Sequence, residues 1–443
     1  MLTTCLALLS AASTATLSER IELALDDPAL DGALASVTVM APSGEVLFEQ
    51  NSDKRVMPAS NQKILSCLYA ADSLGTAYAP ETQVWVWPDL ITIYSPGDPS
   101  MTLAKLVEAS KQLPNRNLPV KLVQAYSPGV PPGWEFDDLI NRYAAPVKAF
   151  TVDQGAFALE SEKGKIVPLP PQYGINVIFT PSASAAQVDY DLASGTVRVK
   201  GELGSNRASL DTLALRNPDI VAGKFFGRSV TAGVGVPRSI PTFRITGDIL
   251  AKQLGDCLAP SDNQYAEHML LMAASSKGLI KNPADPYPAA QQGLIKFLTQ
   301  TVGVNAKDIR PDDGSGLSRH NLVTTRAIAQ SLRWATQQLW FPAFENGLAA
   351  PGKGTLKSRL QGSSFRGKTG TLDMVVGLSG YVLTKNGERR IVSIIINHAT
   401  ESSSKIREIA DGIVRIVESD LADGTGVAYS DRHEVRHALL VSN

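Results

Sequence analysis

Histidine is scarce in this chain, with 5 in 443 residues, and cysteine is scarcer still with 3. Three cysteines allow at most one intramolecular disulfide, so a disulfide framework is not expected. The string G-x-S-x-G, which marks one large class of serine hydrolases, is absent. No apolar run approaches the ~20 residues that a bilayer-spanning helix needs, so no transmembrane domain is expected. An excess of one charge is missing too: 42 Lys and Arg stand against 43 Asp and Glu, for a net charge of −1. Without a basic stripe, nucleic acid is not an expected partner. What the chain does have is bulk. With 44% hydrophobic residues it can bury a large core and should form more than one domain.

Three short strings stand in a telling order: Ser60-Asn61-Gln62-Lys63, Ser261-Asp262-Asn263 and Lys368-Thr369-Gly370. Together they are the parts of a serine acyl-transfer site that uses lysine where other enzymes use histidine. Pro58-Ala59 leads into Ser60, and the apolar run Ile64, Leu65, Cys67, Leu68, Ala70, Ala71 follows, which reads as a buried helix with the serine at its start. The i+3 spacing puts Lys63 on the same face as Ser60. A lysine removes the serine proton only when neutral, which requires burial or a nearby cation, and Lys368 is the candidate cation. Taken alone, Ser60 reads equally well as a helix N-cap and Lys63 as a solvated first-turn lysine.

The other two strings have plain readings as well. Pro260 interrupts two helical stretches, so Ser261-Asp262-Asn263 falls on a bend where short polar side chains can face a cleft, or can simply cap the second helix. In the first case Ser261 passes a proton to a leaving amine, and Asn263 holds Lys63 and a substrate amide. Lys368-Thr369-Gly370-Thr371 lies on an expected strand from Arg366 to Met374. Val375 to Thr384, a type I′ turn at Asn386-Gly387 and a strand from Arg390 to Asn397 follow. Such a strand can pair with an extended peptide. Lys368 and Thr369 would meet a terminal carboxylate, Gly370 would leave room for the incoming backbone, and the N–H groups of Ser60 and Thr371 would form the oxyanion hole. A second S-x-x-K, Ser402 to Lys405, has no such company.

With Gly97-Asp98-Pro99, Pro132-Gly133-Trp134 leading to Asp138 and Tyr143, and the run Asp312-Asp313-Gly314-Ser315-Gly316-Leu317-Ser318-Arg319-His320-Asn321, these motifs extend over most of the chain. In them the sequence resembles the D-alanyl-D-alanine carboxypeptidase and endopeptidase family, the class C low-molecular-mass penicillin-binding proteins. The long stretch between Ile64 and Pro260 matches that family's insertion. The resemblance implies an α+β, β-lactamase-like transpeptidase domain, an antiparallel sheet plus a helical cluster, with inserted, mainly β, domains. It implies peptidoglycan stem peptides as substrate, β-lactams as covalent inhibitors, no cofactor or metal, and an exported location in the periplasm or cell-wall space. Asp138, Tyr143, Leu317 and Arg319 would line a pocket for the side-chain end of the stem, the aspartate for an amine and the arginine for a carboxylate. Asp373 and Asp153-Gln154 depart from the family pattern, which points to a different subsite preference. A non-catalytic peptidoglycan or β-lactam receptor is the alternative, and a β-lactamase a weaker one, since no deacylating glutamate motif accompanies the set.

The expected layout is an export signal at 1–15 without the usual positive start, a discontinuous catalytic domain at 17–79 and 218–421, an insertion at 80–217, and a tail at 422–443. Leu17 to Leu25 reads as a helix, Ser36 to Met40 and Val46 to Gln50 as a hairpin, and Thr324 to Leu339 as an amphipathic helix. The last helix carries the stripe Ile406, Ile409, Ile413, Val417. Cys67 and Cys257 flank the first two motifs, and two buried thiols are preferred to a disulfide. His433-Glu434-Val435-Arg436-His437 fits a zinc-protease string, but with no third ligand downstream it reads as a solvated tail.

Overall fold

The computed structural model describes residues 15–420. The expected signal segment, Cys5, and the tail with its H-E-x-x-H string lie outside those residues, save for Ala15.

The chain opens with helix α1 (Leu17–Leu25), whose capping box joins Thr16 and Glu19, and hairpin strands β1 (Leu34–Met40) and β2 (Val46–Gln50). Helix α2 (Gln62–Leu74) follows and ends at Gly75, whose φ of 75° terminates it. The chain then leaves for the inserted region. This holds β3 (Glu81–Val86), β4 (Ile91–Ser95), helix α3 (Leu103–Ser110), β5 (Pro119–Gln124), β6 (Ala156–Glu162), β7 (Lys165–Leu169), β8 (Asn176–Ala185), β9 (Gln187–Asp191), β10 (Thr196–Glu202), β11 (Ala208–Ala214), helix α4 (Pro218–Gly223), β12 (Ser229–Ala232) and β13 (Phe243–Thr246). Helices α5 (Leu250–Leu258), α6 (Asn263–Ser276) and α7 (Tyr287–Lys296) bring it back. A short pair, β14 (Ile309–Arg310) and β15 (Leu322–Val323), precedes helices α8 (Thr325–Ala335) and α9 (Phe341–Gly347). The meander β16 (Arg366–Leu372), β17 (Val375–Leu383), β18 (Arg389–Asn397) and helix α10 (Ser403–Glu418) complete the fold.

The first sheet, which carries the Lys368-Thr369-Gly370 string and is called the catalytic sheet after that expectation, is antiparallel, in the order β16-β17-β18-β1-β2. Its strands are apolar on both faces because both faces are covered. Val37, Val39, Leu378, Val392, Ile394 and Ile396 pack with Ile21 of α1 and with the stripe Ile406, Ile409, Ile413, Val417 of α10. On the other face Tyr381, Ile391 and Ile395 join the helical cluster of α2, α5, α6, α7 and α8. The inserted region has three sheets, β12-β5-β4-β3-β13, β11-β6-β7 and β8-β10-β9, around its own core. This is the expected α+β architecture with additional sheet domains.

Three expectations change. β12 and β13 pair with β5 and β3, so the second body continues past 217 to Thr246, and the catalytic part resumes at α5. Four-residue strands among Pro and Gly show too little alternation to be read as sheet. The turn between β17 and β18 is not type I′: only Gly387 has a positive φ, 82°, whereas type I′ needs two such residues. Helix α8 stops at Ala335, and Leu339, read as part of its stripe, is fully exposed. The second S-x-x-K is a cap, with Ser402 accepting from the Lys405 amide at 3.3 Å while Lys405 pairs with Asp27.

Candidate active site

Ser60 sits in a 3-10 turn, Ala59–Asn61, that runs straight into α2. It makes no capping bond, so the N-cap reading falls. Ala59 holds a φ of 48°, a strained value for a residue with a side chain, immediately before the serine. Lys63 is fully buried, and its Nζ donates to Ser60 Oγ at 2.9 Å, Asn263 Oδ1 at 2.7 Å and the Ser315 carbonyl at 2.7 Å. Burial depresses the Lys63 pKa, against opposition from Cys257 and the carboxylates of Asp313, Glu267 and Asp262.

Asn263 opens α6, but the cap of that helix is Asp262, which accepts from the Tyr265 amide at 3.1 Å. Asp262 also receives Arg142 at 2.8 Å, and Asn263 Nδ2 donates to the Tyr143 carbonyl at 2.8 Å. The inserted region thus grips the bend from two sides. Ser261, at a φ of 68°, lies on the wall of a polar cavity of about 540 Å³. No hydrogen bond ties its hydroxyl to Ser60 or Lys63 among the described residues.

β16 is an edge strand of the catalytic sheet, partly covered where Gly367 bridges to Ala349. Lys368 is fully buried, and its Nζ donates to the Thr369 carbonyl at 2.8 Å. Burial, and then the charge of Lys63, push its pKa well below the usual lysine value. Burial lowers both lysines, and two ammonium groups so placed oppose each other's charge. Thr369 Oγ1 donates to Thr355 Oγ1 at 2.8 Å, and the exposed Thr371 accepts from Arg407 at 3.1 Å. Gly370 has a different reason from the expected one. A side chain there would meet Asn61 Nδ2 at 2.8 Å, the Pro58 carbonyl at 3.0 Å and Ala59 Cβ at 3.1 Å. Its bareness lets β16 close onto the nucleophile turn, bringing the strand carrying Thr371 beside Ser60.

At the outer rim Tyr143 donates to Asp138 at 2.6 Å. Arg319 pairs with Glu135 at 2.9 Å and donates to the Asp373 carbonyl at 3.1 Å. Leu317 packs against the helical core. Asp138 and Tyr143 are therefore in contact, while Arg319 is held by a separate partner, Glu135. Asp153, one of the departures, binds the Leu103 amide and the Tyr173 hydroxyl inside the inserted region.

Sequence reasoning gave no role to Glu267, Asp313, Glu135, Arg142 or Thr355. The first two are buried acids, and Glu267 sits in the middle of a helix that otherwise reads as core. That mismatch was the available signal. Cys67 and Cys257 are buried free thiols with their sulfurs 3.6 Å apart, joining α2 to α5 directly beneath the site.

The chain and its fold are similar to known proteins. The chain is 28% identical over 470 aligned residues to a D-alanyl-D-alanine carboxypeptidase of Actinomadura sp. (strain R39), spanning 92% of this chain and 86% of that one. Its fold matches penicillin binding protein 4 (DacB) from Haemophilus influenzae with a TM-score of 0.74 at 20% identity, over 89% of this chain and 97% of that one. The penicillin G-acylated form of the predatory endopeptidase Bd3459 of Bdellovibrio bacteriovorus, bound to its immunity protein Bd3460, matches with a TM-score of 0.51 at 14% identity, over 90% and 96% of the two chains. The profile of the D-Ala-D-Ala carboxypeptidase 3 (S13) family fits residues 17–419, and the chain belongs to that family.

Proposed function

We propose that this protein is an exported serine D-Ala-D-Ala carboxypeptidase, with DD-endopeptidase activity on cross-bridges, working on peptidoglycan stem peptides through an acyl-enzyme on Ser60. The observation that carries the reading is the bond set on Lys63: a buried amine that reaches both the Ser60 hydroxyl and Asn263. Neutral Lys63 takes the Ser60 proton as Oγ attacks the carbonyl carbon of the penultimate D-Ala. The backbone N–H groups of Ser60 and Thr371 receive the oxyanion, a donor pair whose members are each worth roughly 100- to 1000-fold in rate. The proton on Lys63 then passes through the Ser261 hydroxyl, which gives one to the departing nitrogen and takes one from Lys63. The C–N bond breaks, D-alanine leaves, and water, giving its proton back to Lys63 and then to Ser60 Oγ, cleaves the ester.

Lys368 and Thr369 face the terminal carboxylate, and the β16 edge offers backbone pairing to the extended stem, with Gly370 and Thr371 along it. Asp138, Tyr143, Leu317 and Arg319 form the outer pocket, where Glu135 competes with a substrate carboxylate for Arg319. A β-lactam enters as a ring-closed analogue of the same acyl donor, as penicillin G does in the acylated Bd3459 relative.

The test is labelling with a fluorescent penicillin and mapping of the adduct, alongside D-alanine release from a pentapeptide stem. The adduct should fall on the peptide holding Ser60, with steady D-alanine release that Ser60→Ala abolishes. A single stoichiometric burst without turnover would instead make the protein a receptor, and an adduct at Ser402, or none, would overturn the site.

A further inference from the structure

Residues 313–316 form a strap pressed between two helices. On one side its carbonyls meet α2 in succession: Asp313 accepts from Gln62 Nε2 at 3.4 Å, Gly314 from Ser66 Oγ at 2.7 Å, and Ser315 from Lys63 Nζ at 2.7 Å. On the other side its amides meet one carboxylate. Gly314 N donates to Glu267 Oε2 at 2.9 Å and Ser315 N to Glu267 Oε1 at 2.8 Å. Two glycines make the fit possible. A side chain at Gly314 would lie 2.6 Å from the Ala266 carbonyl, and one at Gly316 would collide with the Ala59 carbonyl beside Ser60.

We propose that Glu267 is the positioning residue of the catalytic base: by clamping both amides of the strap it aims the Ser315 carbonyl at Lys63 and couples the two side chains' charges. The inference rests on Lys63 acting as the base in the reading above. Glu267 touches no reacting atom and acts only through the strap. A carboxylate is required because both of its oxygens accept N–H donors, whereas a glutamine turns its NH2 against one of them. Tyr287 of α7 adds a third donor to Oε2 at 3.0 Å. The charged and titratable groups around the carboxyl are Lys63 from α2, Asp313 from the strap and Tyr287 from α7. Burial, then Asp313, push the Glu267 pKa up to about 8 against the hydrogen bonds it receives. The carboxylate that the strap amides require therefore prevails above about pH 8, and Glu267 stands after Cys257 and Asp313 among the groups that hold the Lys63 pKa up against burial.

Two measurements on Glu267→Gln test this. The first follows the Lys63 side chain by ¹³C NMR over pH and needs no substrate: with the carboxylate gone, the Lys63 midpoint should lie lower in the variant than in the wild type. The second is the pH profile of acylation by fluorescent penicillin. The variant should lose the inflection near pH 8 and fall about 10- to 100-fold in maximal rate, with KM for the stem peptide little changed. Curves of the same shape and midpoint in both proteins would overturn the proposal, as would a rate loss matched by the unfolded fraction. Should Glu267→Gln not fold, Tyr287→Phe, which removes one donor from the same carboxyl, carries the titration: a moved Lys63 midpoint supports the coupling and an unmoved one refutes it. If the wild type takes no penicillin label, the functional reading fails, and the NMR titration still decides the role of Glu267.

Discussion

Single residues set the protein's response to acid and its tolerance at the nucleophile. His268 is fully buried, bonded through Nδ1 to Tyr126 Oη at 2.6 Å, and burial pulls its pKa down to about 3. A folded-state value below the unfolded one means stability is complete above about 6.5 and declines as pH falls toward 3, by up to about 1.4 kcal/mol per pH unit. Melting temperatures at pH 7 and pH 4.5 should therefore diverge in the wild type and converge in part in His268→Gln. Gly370→Ala is the second residue-scale case. Its methyl would have to displace backbone at Pro58, so acylation should drop about 10- to 100-fold while melting temperature moves only a few degrees. These two sites also mark the limit of residue-level reading. Gly370 was visible in its motif, but which wall it faces depends on β16 and the nucleophile turn, almost 310 positions apart in sequence. Glu267 stood out only as an acid within an apolar helix, and its task was hidden because its partners are the amides of a strap that closes on it only in three dimensions.

At the scale of elements, strong local periodicity was legible and short or composite structure was not. α10 could be read from Ile406, Ile409, Ile413 and Val417 because one face is uniformly apolar and Ser402 caps it. α8 was overextended because Leu339 happens to continue the spacing beyond Thr336, where the helix ends in tight turns. α5 and α2 meet through Cys67 and Cys257, a contact suggested by the nearness of each cysteine to a motif, with the reduced pair favoured. Both thiols are fully buried, and burial also raises the Cys67 pKa, so neither should react with iodoacetamide in the native protein. Peptide mapping after alkylation should find both unmodified natively and both labelled in urea. A disulfide-linked peptide pair in the non-reduced digest would contradict the free-thiol geometry.

Over the whole molecule, the inserted region packs into the helical core and holds residues of the second motif. Tyr126, Trp134, Ala144, Val147 and Ala149 belong to the helical core, and Tyr143 and Arg142 hold Asn263 and Asp262. Removal of residues 80–247 should uncover that core and yield an insoluble or partly unfolded product, readable by size-exclusion chromatography and near-UV circular dichroism. The catalytic sheet carries a further consequence. Its middle is the pairing of β1 with β18, so the first and last strands among the described residues are direct neighbours, and the turn holding Ser60 is closed on one side by β16. A chain cut short before β16 therefore leaves Ser60 without the strand that closes on its turn.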